Sequence, residues 1–376
     1  MASRTRKKKA VKKSKAETGE LGDTIKHARK RYGNSIVRMA SEVITPDRIS
    51  TGSFIMDLCL LGGIPHNRNT MVVGERHAGK SMIASKIMAD AQCRYPDQTP
   101  ILMDIEGTFD ATWAAKLGVD IDSLPIAECD SGEQAVDVAD AMVESKETSL
   151  LVIDSLAALT PMKEINSSAE DSHVALQSRL ISGMVRKLNA SLIRERKRGH
   201  AVTILYLNQF RMKIGVSFGD PRSIPGGKAL EFCTSLQFIM KNQEKKGKGD
   251  DDVIESMMSN VHPFTITKNK ICNGPRTGEF PLQRSYDEET GLREGDIDNV
   301  PTIVAYAKKF GVYSGGGTKW ALAFDDYSYS FKRASEAMSA LYEDPAMQWA
   351  LRNHLIALQA KAQNMPTEFI NRILAM

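Results

Sequence analysis

The chain has 376 residues, 42% of them hydrophobic and 26% charged, an ordinary balance for a soluble globular protein of two or more domains. No apolar run approaches the roughly 18 residues of a spanning helix, so no membrane partner is expected. The five cysteines (Cys59, Cys93, Cys129, Cys233, Cys272) are odd in number, widely spaced and never C-x-x-C, which argues against a disulfide scaffold or a zinc site and for a reducing cytoplasm.

Charge is unevenly spread. Eight basic residues and no acidic one fall in residues 1–15 (Arg4, Arg6, Lys7, Lys8, Lys9, Lys12, Lys13, Lys15), although the chain has 50 basic and 46 acidic residues in total. Residues 1–16 therefore read as a disordered cationic tail on a mildly acidic body, suited to a polyanion such as nucleic acid or serving only for solubility. The N-terminus lacks the apolar segment of a secretory signal. Residues 17–31 follow with helical spacing at Leu21, Ile25 and Ala28, ended by Tyr32-Gly33-Asn34, and 17–48 is expected to form a helical arm ahead of the main domain.

Residues 74–81, Gly-Glu-Arg-His-Ala-Gly-Lys-Ser, fit G-x-x-x-x-G-K-[S/T], the phosphate-binding loop known as Walker A. The strand-like Met71–Val73 precedes it and a helical stretch from 80 to 94 follows, so backbone N–H groups and a helix dipole converge on one point. Gly74 and Gly79 let the loop bend around a triphosphate, Lys80 reaches the β and γ phosphates, and Ser81 offers a hydroxyl to magnesium. Glu75, Arg76, His77, Ala78 and Met82 complete the cradle.

From residue 70 to about 210, apolar strands alternate with helices, which predicts a mostly parallel sheet covered on both faces. Strands are expected at 71–73, 101–104, 125–127, 150–154 and 202–208, and helices at 80–94, 110–117, 132–145 and 171–197. Ligands of such sheets sit at the carboxyl ends of the strands, where Gly74, Asp104 to Glu106, Asp154 with Ser155, and Asn208 with Gln209 fall. Leu150-Leu151-Val152-Ile153-Asp154 has the Walker B pattern, which makes Asp154 the second metal-site residue. Glu106, just past its strand, is the candidate base that orients and deprotonates water, with an exposed loop acid as the alternative. Gln209 has an amide that can donate and accept at once, which suits sensing of a γ-phosphate.

Residues 210–227 show no helix or strand period and carry Arg211, Lys213, Phe218 and Arg222 among glycines that include Gly226 and Gly227. Cations and an aromatic ring on a loop suit single-stranded nucleic acid, and a lid over a small substrate fits equally well. A second loop, about 161–172, follows the Walker B strand. Further strands are expected at 235–240, 263–270 and 278–284, around a charged loop at 245–252. Lys268 and Lys270, two apart on a strand, share a face, so they bracket an anion or lie solvated. A separate α+β domain is expected over 291–376: a helix at 300–310, a glycine turn at Gly315 to Gly317, strands at 320–324 and 327–331, and helices at 333–343, 345–361 and 366–375. The core domain is then 49–290.

With these residues assembled, the sequence resembles the bacterial RecA recombinases from about residue 18 to at least 330. Lys116-Leu117-Gly118-Val119-Asp120, Ser155 to Pro161, Asn208 to Gly215 and Lys268-Asn269-Lys270-Ile271 carry the resemblance. It implies the RecA-like ATPase fold and DNA-stimulated ATP hydrolysis with magnesium. It also implies helical filaments on single-stranded DNA that exchange strands with duplex DNA, and possible partners in loading mediators and a single-stranded DNA-binding protein. By resemblance, Lys80, Ser81, Glu106 and Asp154 take the roles just given, and Gln209 links the γ-phosphate to the DNA-binding loop. Asp110 and Trp113 fall at the adenine contacts, Lys268 and Lys270 reach the neighbouring subunit's ATP, and Arg179, Arg186 and Lys187 lie near the two DNA loops. The N-terminal helix would pack on the adjacent protomer. The Walker residues alone leave open a helicase-like motor, or a mediator or structural filament protein with little turnover. His77-Ala78, Gly107-Thr108-Phe109, Pro225 and Glu231 depart from the family pattern, as does the lack of an acidic C-terminal tail, and these departures fit a divergent or phage-encoded member.

Overall fold

The computed structural model describes residues 19–43, 45–168, 174–212, 222–241 and 259–376. The basic tail, the charged loop at 245–252, Lys213 and Phe218 lie outside the described residues. The chain divides into an N-terminal unit that ends at Thr45 and a larger unit, Pro46–Met376. In the first unit, α1 (Gly19–Tyr32) stops at Gly33, whose φ of 92° no helix continues. Arg29 Nε donates to the Val37 carbonyl at 3.0 Å and folds the following turns back on the helix.

The larger unit opens with β1 (Arg48–Ile49), α2 (Phe54–Leu60) and β2 (Ile64–Pro65), with β1 and β2 paired antiparallel. There follow β3 (Asn69–Gly74), α3 (Lys80–Arg94), β4 (Thr99–Asp104), α4 (Ala111–Lys116), β5 (Ile126–Ala127), α5 (Gly132–Glu144), β6 (Thr148–Asp154), α6 (Met162–Ile165), α7 (Val174–Lys197) and β7 (Thr203–Gln209). Next come β8 (Arg211–Met212), β9 (Arg222–Ser223), α8 (Gly227–Cys233), β10 (Leu236–Met240), β11 (Ser259–Asn269) and β12 (Thr277–Gln283). One eight-stranded sheet runs β12-β11-β10-β3-β7-β6-β4-β5, parallel from β10 to β5, with β11 and β12 antiparallel at its edge.

Strand alternation decides which side chain enters which layer. Val72, Leu150, Val152, Leu205 and Leu207 face a cluster with Ile83 and Ile87 of α3. Their neighbours Met71, Val73, Leu151, Ile153, Ile204 and Tyr206 face the opposite cluster with Ala135 and Ala139 of α5 and Val185 and Leu188 of α7. Each run is therefore apolar at every position because both faces are covered.

The C-terminal elements are α9 (Val300–Lys309), the three-stranded sheet β13 (Tyr313–Gly316), β14 (Lys319–Phe324) and β15 (Tyr327–Phe331), then α10 (Glu336–Glu343), α11 (Pro345–Ala362) and α12 (Thr367–Leu374). Their apolar residues join the α3 side of the core in one cluster, from Ile83 to Val304, Leu355 and Phe369. Where a glycine turn is expected, β13 instead extends through Gly315 and Gly316. Gly315, at φ 148°, lies opposite Trp320, and a Cβ there would stand 2.2 Å from the Lys319 carbonyl oxygen, so a bare backbone lets the two strands close. No helix among the described residues is long and apolar enough to cross a membrane.

A buried ion pair joins the late helices to the early chain. Arg352 of α11 bonds to Asp57 of α2, with 5% and 0% of their side chains exposed. Ser50 Oγ and Thr51 Oγ1 also donate to the Asp57 carboxylate, at 2.5 and 2.8 Å. The Arg352→Ala substitution strands a buried carboxylate and is expected to cost about 3–5 kcal/mol, read as a lower urea midpoint. An unchanged midpoint would show that the pair contributes nothing to folding.

Candidate functional site

The sheet register brings the carboxyl strand ends to one level. Gly74 pairs with Gln209 across β3 and β7, and Asp104 with Asp154 across β4 and β6. Between β3 and α3 the backbone turns through His77 (φ 59°) and Gly79 (φ 84°), both left-handed. A Cβ on Gly79 would come within 3.1 Å of His262 Nδ1 and of Met82 Cε, so the loop is closed from below by a histidine on β11. His262 is buried and stacks on Phe280 at 5.6 Å. Burial lowers its pKa, and the adjoining Ala78 backbone opposes that shift.

Lys80 is buried, and its ammonium donates to the Glu75 carbonyl at 2.8 Å. Desolvation pulls its pKa down, against the pull of Asp154 and Glu106. Ser81 Oγ donates to Asp154 Oδ2 at 2.7 Å. Asp154 moves the other way, to about 6: burial raises it first, the Ser81 bond and Lys80 lower it, and Glu106 and Asp104 raise it further. A lysine and a carboxylate that are both disfavoured as ions each stand to gain from a bound group of opposite charge.

Glu106 follows β4 directly. Its Oε1 accepts from Gln209 Nε2 at 2.6 Å and from the Ser155 hydroxyl, while Oε2 has no hydrogen-bond partner among the described residues. The Asp154–Ser155 peptide is cis. Asp104 holds the loop after β4 by accepting from Gly107 N and Phe109 N, each at 2.9 Å. Asp110 caps α4 by accepting from Trp113 N at 3.0 Å. Asp110, Trp113 and Phe109 line a cavity of about 100 Å³ with Ser81, Asp104 and Asp154.

The ends of the 210–227 segment are more regular than its sequence shows. β8 and β9 pair antiparallel, Met212 against Arg222, and Ser223 Oγ donates to the Arg211 carbonyl at 3.1 Å. Arg222 lies 5.0 Å over the Phe210 ring and 4.0 Å from Glu75, which ties this hairpin to the phosphate loop. Exposed Arg211 donates to the Ala157 carbonyl at 3.0 Å. Gly226 starts α8 with φ 95°, followed by Gly227 at φ 55°, and a Cβ on Gly226 would meet Ile181 at 2.5 Å. Arg179 and Arg186 are exposed on α7, whereas Lys187 is engaged by Asp137 at 2.8 Å and Asp140 at 3.3 Å.

Lys268 and Lys270 line a cavity of about 910 Å³ with Arg222, Gly227, Glu231 and Phe232. Lys268 donates to the Glu231 carbonyl, and burial, then Lys270, lowers its pKa. Lys268 pairs with Gln237 and Gln237 with Met71, three residues short of Gly74 on β3, so the pair sits about 10 Å down the sheet from its own phosphate loop.

Residues 19–287 match the family profile described as the RecA N-terminal domain. The chain is 33% identical over 326 residues to protein RecA of Methylococcus capsulatus, covering 85% of this chain and 90% of that one. It is 35% identical to protein RecA of Rhodopirellula baltica (75% and 72% covered) and 35% identical to that of Bacillus licheniformis (78% and 81%).

The chain belongs to the RecA family.

RecA membership makes it a DNA-dependent ATPase of the recombinase class, one that binds ATP and DNA and forms filaments. The helicase-like and low-turnover alternatives are not favoured by these relatives. Three side chains had no task in the sequence reading. Ser155 carried a signal, since it falls there at the carboxyl strand ends beside the Walker B aspartate. Phe109 and His262 carried none, because their places depend on how β4 and β11 sit beside β3. In this RecA chain, Gly79→Ala combines a left-handed backbone, costing about 1–2 kcal/mol for a residue with a Cβ, with a crowded Cβ. Calorimetric titration should show ATP affinity reduced at least about tenfold in the folded variant. Unchanged affinity would mean the loop does not need this conformation.

Proposed function

We propose that the chain polymerises on single-stranded DNA with ATP held between protomers, and pairs the bound strand with a homologous duplex while the γ-phosphate governs its grip. The observation that carries this reading is the 2.6 Å bond from Gln209, which heads the 210–227 segment, to Glu106, the candidate base. One residue thus touches both the hydrolytic carboxylate and the root of the DNA-facing loop.

Each residue then has a defined task. The backbone of 74–79 and Lys80 bind the phosphates, and exchanging the Glu75 carbonyl for a phosphate oxygen relieves the poorly solvated ammonium. Trp113 offers a π-face to the adenine, beside Asp110. Ser81 and Asp154 present hard oxygen donors within 2.7 Å of each other, and they fit magnesium. No all-protein cage of three or more His, Cys, Asp or Glu exists among the described residues, as suits an ion held largely by phosphate and water. When bound, magnesium would screen charge on the β and γ phosphates. Glu106 orients and deprotonates the attacking water.

Lys268 and Lys270 are set too far down the sheet to serve their own phosphate loop, which supports their action on a neighbour's nucleotide. Arg179, Arg186, Arg211, Lys213, Phe218, Arg222, Gly226 and Gly227 would hold the DNA backbone, a grip that weakens with salt. α1 would dock on the adjacent protomer. The basic tail would recruit duplex DNA, and loading mediators and a single-stranded DNA-binding protein would be natural partners in a cytoplasm, that of a host if the protein is phage-encoded.

Strand exchange tests the reading: product from a homologous duplex and none from a heterologous one is expected, and equal yields from both would end it. Glu106→Gln should retain ATP and DNA binding while kcat falls at least about 100-fold, the worth of a general base. A kcat near the parent value would remove Glu106 from that role. Asp154, with its pKa raised to about 6, is protonated below that pH and must lose the proton to meet the ion. Magnesium-dependent ATP affinity should therefore rise with pH up to about 6 and level off above it, falling by up to about tenfold per unit on the acid side. Asp154→Asn should flatten that slope; a slope retained in the variant would assign it to another group.

A further inference from the structure

Glu106 is gripped by two donors that leave the site in different directions. Gln209 leads into the 210–227 segment, and Ser155 leads into the turn at Leu156–Ala158 and on to the loop before α7. Both donate to the same oxygen, Oε1. Ser155 is fully buried, so no water competes for its hydroxyl. The turn behind it is braced from two sides. Gln177 of α7 donates to the Ala157 and Leu159 carbonyls at 3.0 and 2.7 Å, and Arg211 of β8 donates to the same Ala157 carbonyl at 3.0 Å.

We propose that Ser155 is a positioning residue which, braced by Arg211 through the Ala157 carbonyl, locks Glu106 in the DNA-free protein. The proposal rests on Glu106 as the base. A carboxylate bonded twice through Oε1 is fixed in direction, and turning it toward a water requires breaking at least one of those bonds. Arg211 is exposed and bonded to a neutral carbonyl, the weaker of its options. A DNA phosphodiester offers a charged acceptor and draws the guanidinium away. The turn then loses one of its braces, the Ser155 hydroxyl loosens, and Glu106 is freed. This path runs beside the one through Gln209, so capture of DNA by either loop bears on the same oxygen.

Steady-state hydrolysis without DNA is the first measurement. Ser155→Ala should raise the DNA-free kcat about tenfold, the worth of one hydrogen bond to a charged group, with KM for ATP unchanged and the stimulation by DNA correspondingly smaller. Arg211→Ala, at an exposed position that leaves the core intact, should also raise the DNA-free kcat. The double variant should go no higher than Ser155→Ala alone, because both changes break one path. A readout free of nucleotide is hydrogen exchange over residues 155–160, which should quicken in Arg211→Ala and in the parent protein on adding single-stranded DNA. An unchanged DNA-free kcat in Ser155→Ala, multiplicative effects in the double variant, or unaltered exchange would each overturn the proposal. If the parent protein hydrolyses ATP no faster with DNA than without it, the proposed function fails first. A stimulated parent with an indifferent Ser155→Ala variant sinks only the lock.

Discussion

The site depends on one constraint, the parallel register of β3, β7, β6 and β4. Because Gly74 stands beside Gln209 and Asp104 beside Asp154, four chain segments far apart in sequence release their polar ends at one level. Packing on both covered faces keeps that level fixed. A slip of one residue in β6 would send Leu151 and Val152 into each other's packed layers, and the misfit there holds the strand in place. Catalytic geometry is thus set by aliphatic side chains that never touch the substrate.

Within that frame the electrostatics are incomplete by design. Burial disfavours the charge on Lys80 and on Asp154, and their mutual attraction offsets only part of it. Phosphate supplies what the lysine lacks, and the cation of the proposed function would supply what the carboxylate lacks, so ligand binding would relieve tensions already present in the fold. Glu106 shows the opposite arrangement, since its Oε1 already accepts from both Gln209 and Ser155.

The legible parts of the sequence were those encoded locally. The phosphate loop is a contiguous string, and α3 begins at Lys80 and ends at Arg94, the limits its helical spacing predicts. The strands read clearly because their apolar runs are short and end in acids or amides. β8 and β9 were illegible, since two residues on each side of a long loop show no period and are strands only through each other. Gly315 and Gly316 read as a turn because glycine favours turns, and only the presence of Trp320 opposite explains bare backbone in a strand. The grip of Ser155 on Glu106 and the seat of His262 beneath Gly79 are contacts between strands, invisible until the strand order is known. Likewise, the shared cluster between the late helices and α3 does not follow from reading 291–376 as a separate domain.

The pairing of Asp57 with Arg352 has a consequence for biosynthesis. The acid leaves the ribosome early, yet its guanidinium partner emerges nearly 300 residues later. Until then the nascent core holds a carboxylate with no counter-charge, held only by Ser50 and Thr51. Final consolidation must therefore wait for late translation, and a chain cut short before α11 would present chaperones and proteases with an unfinished interior.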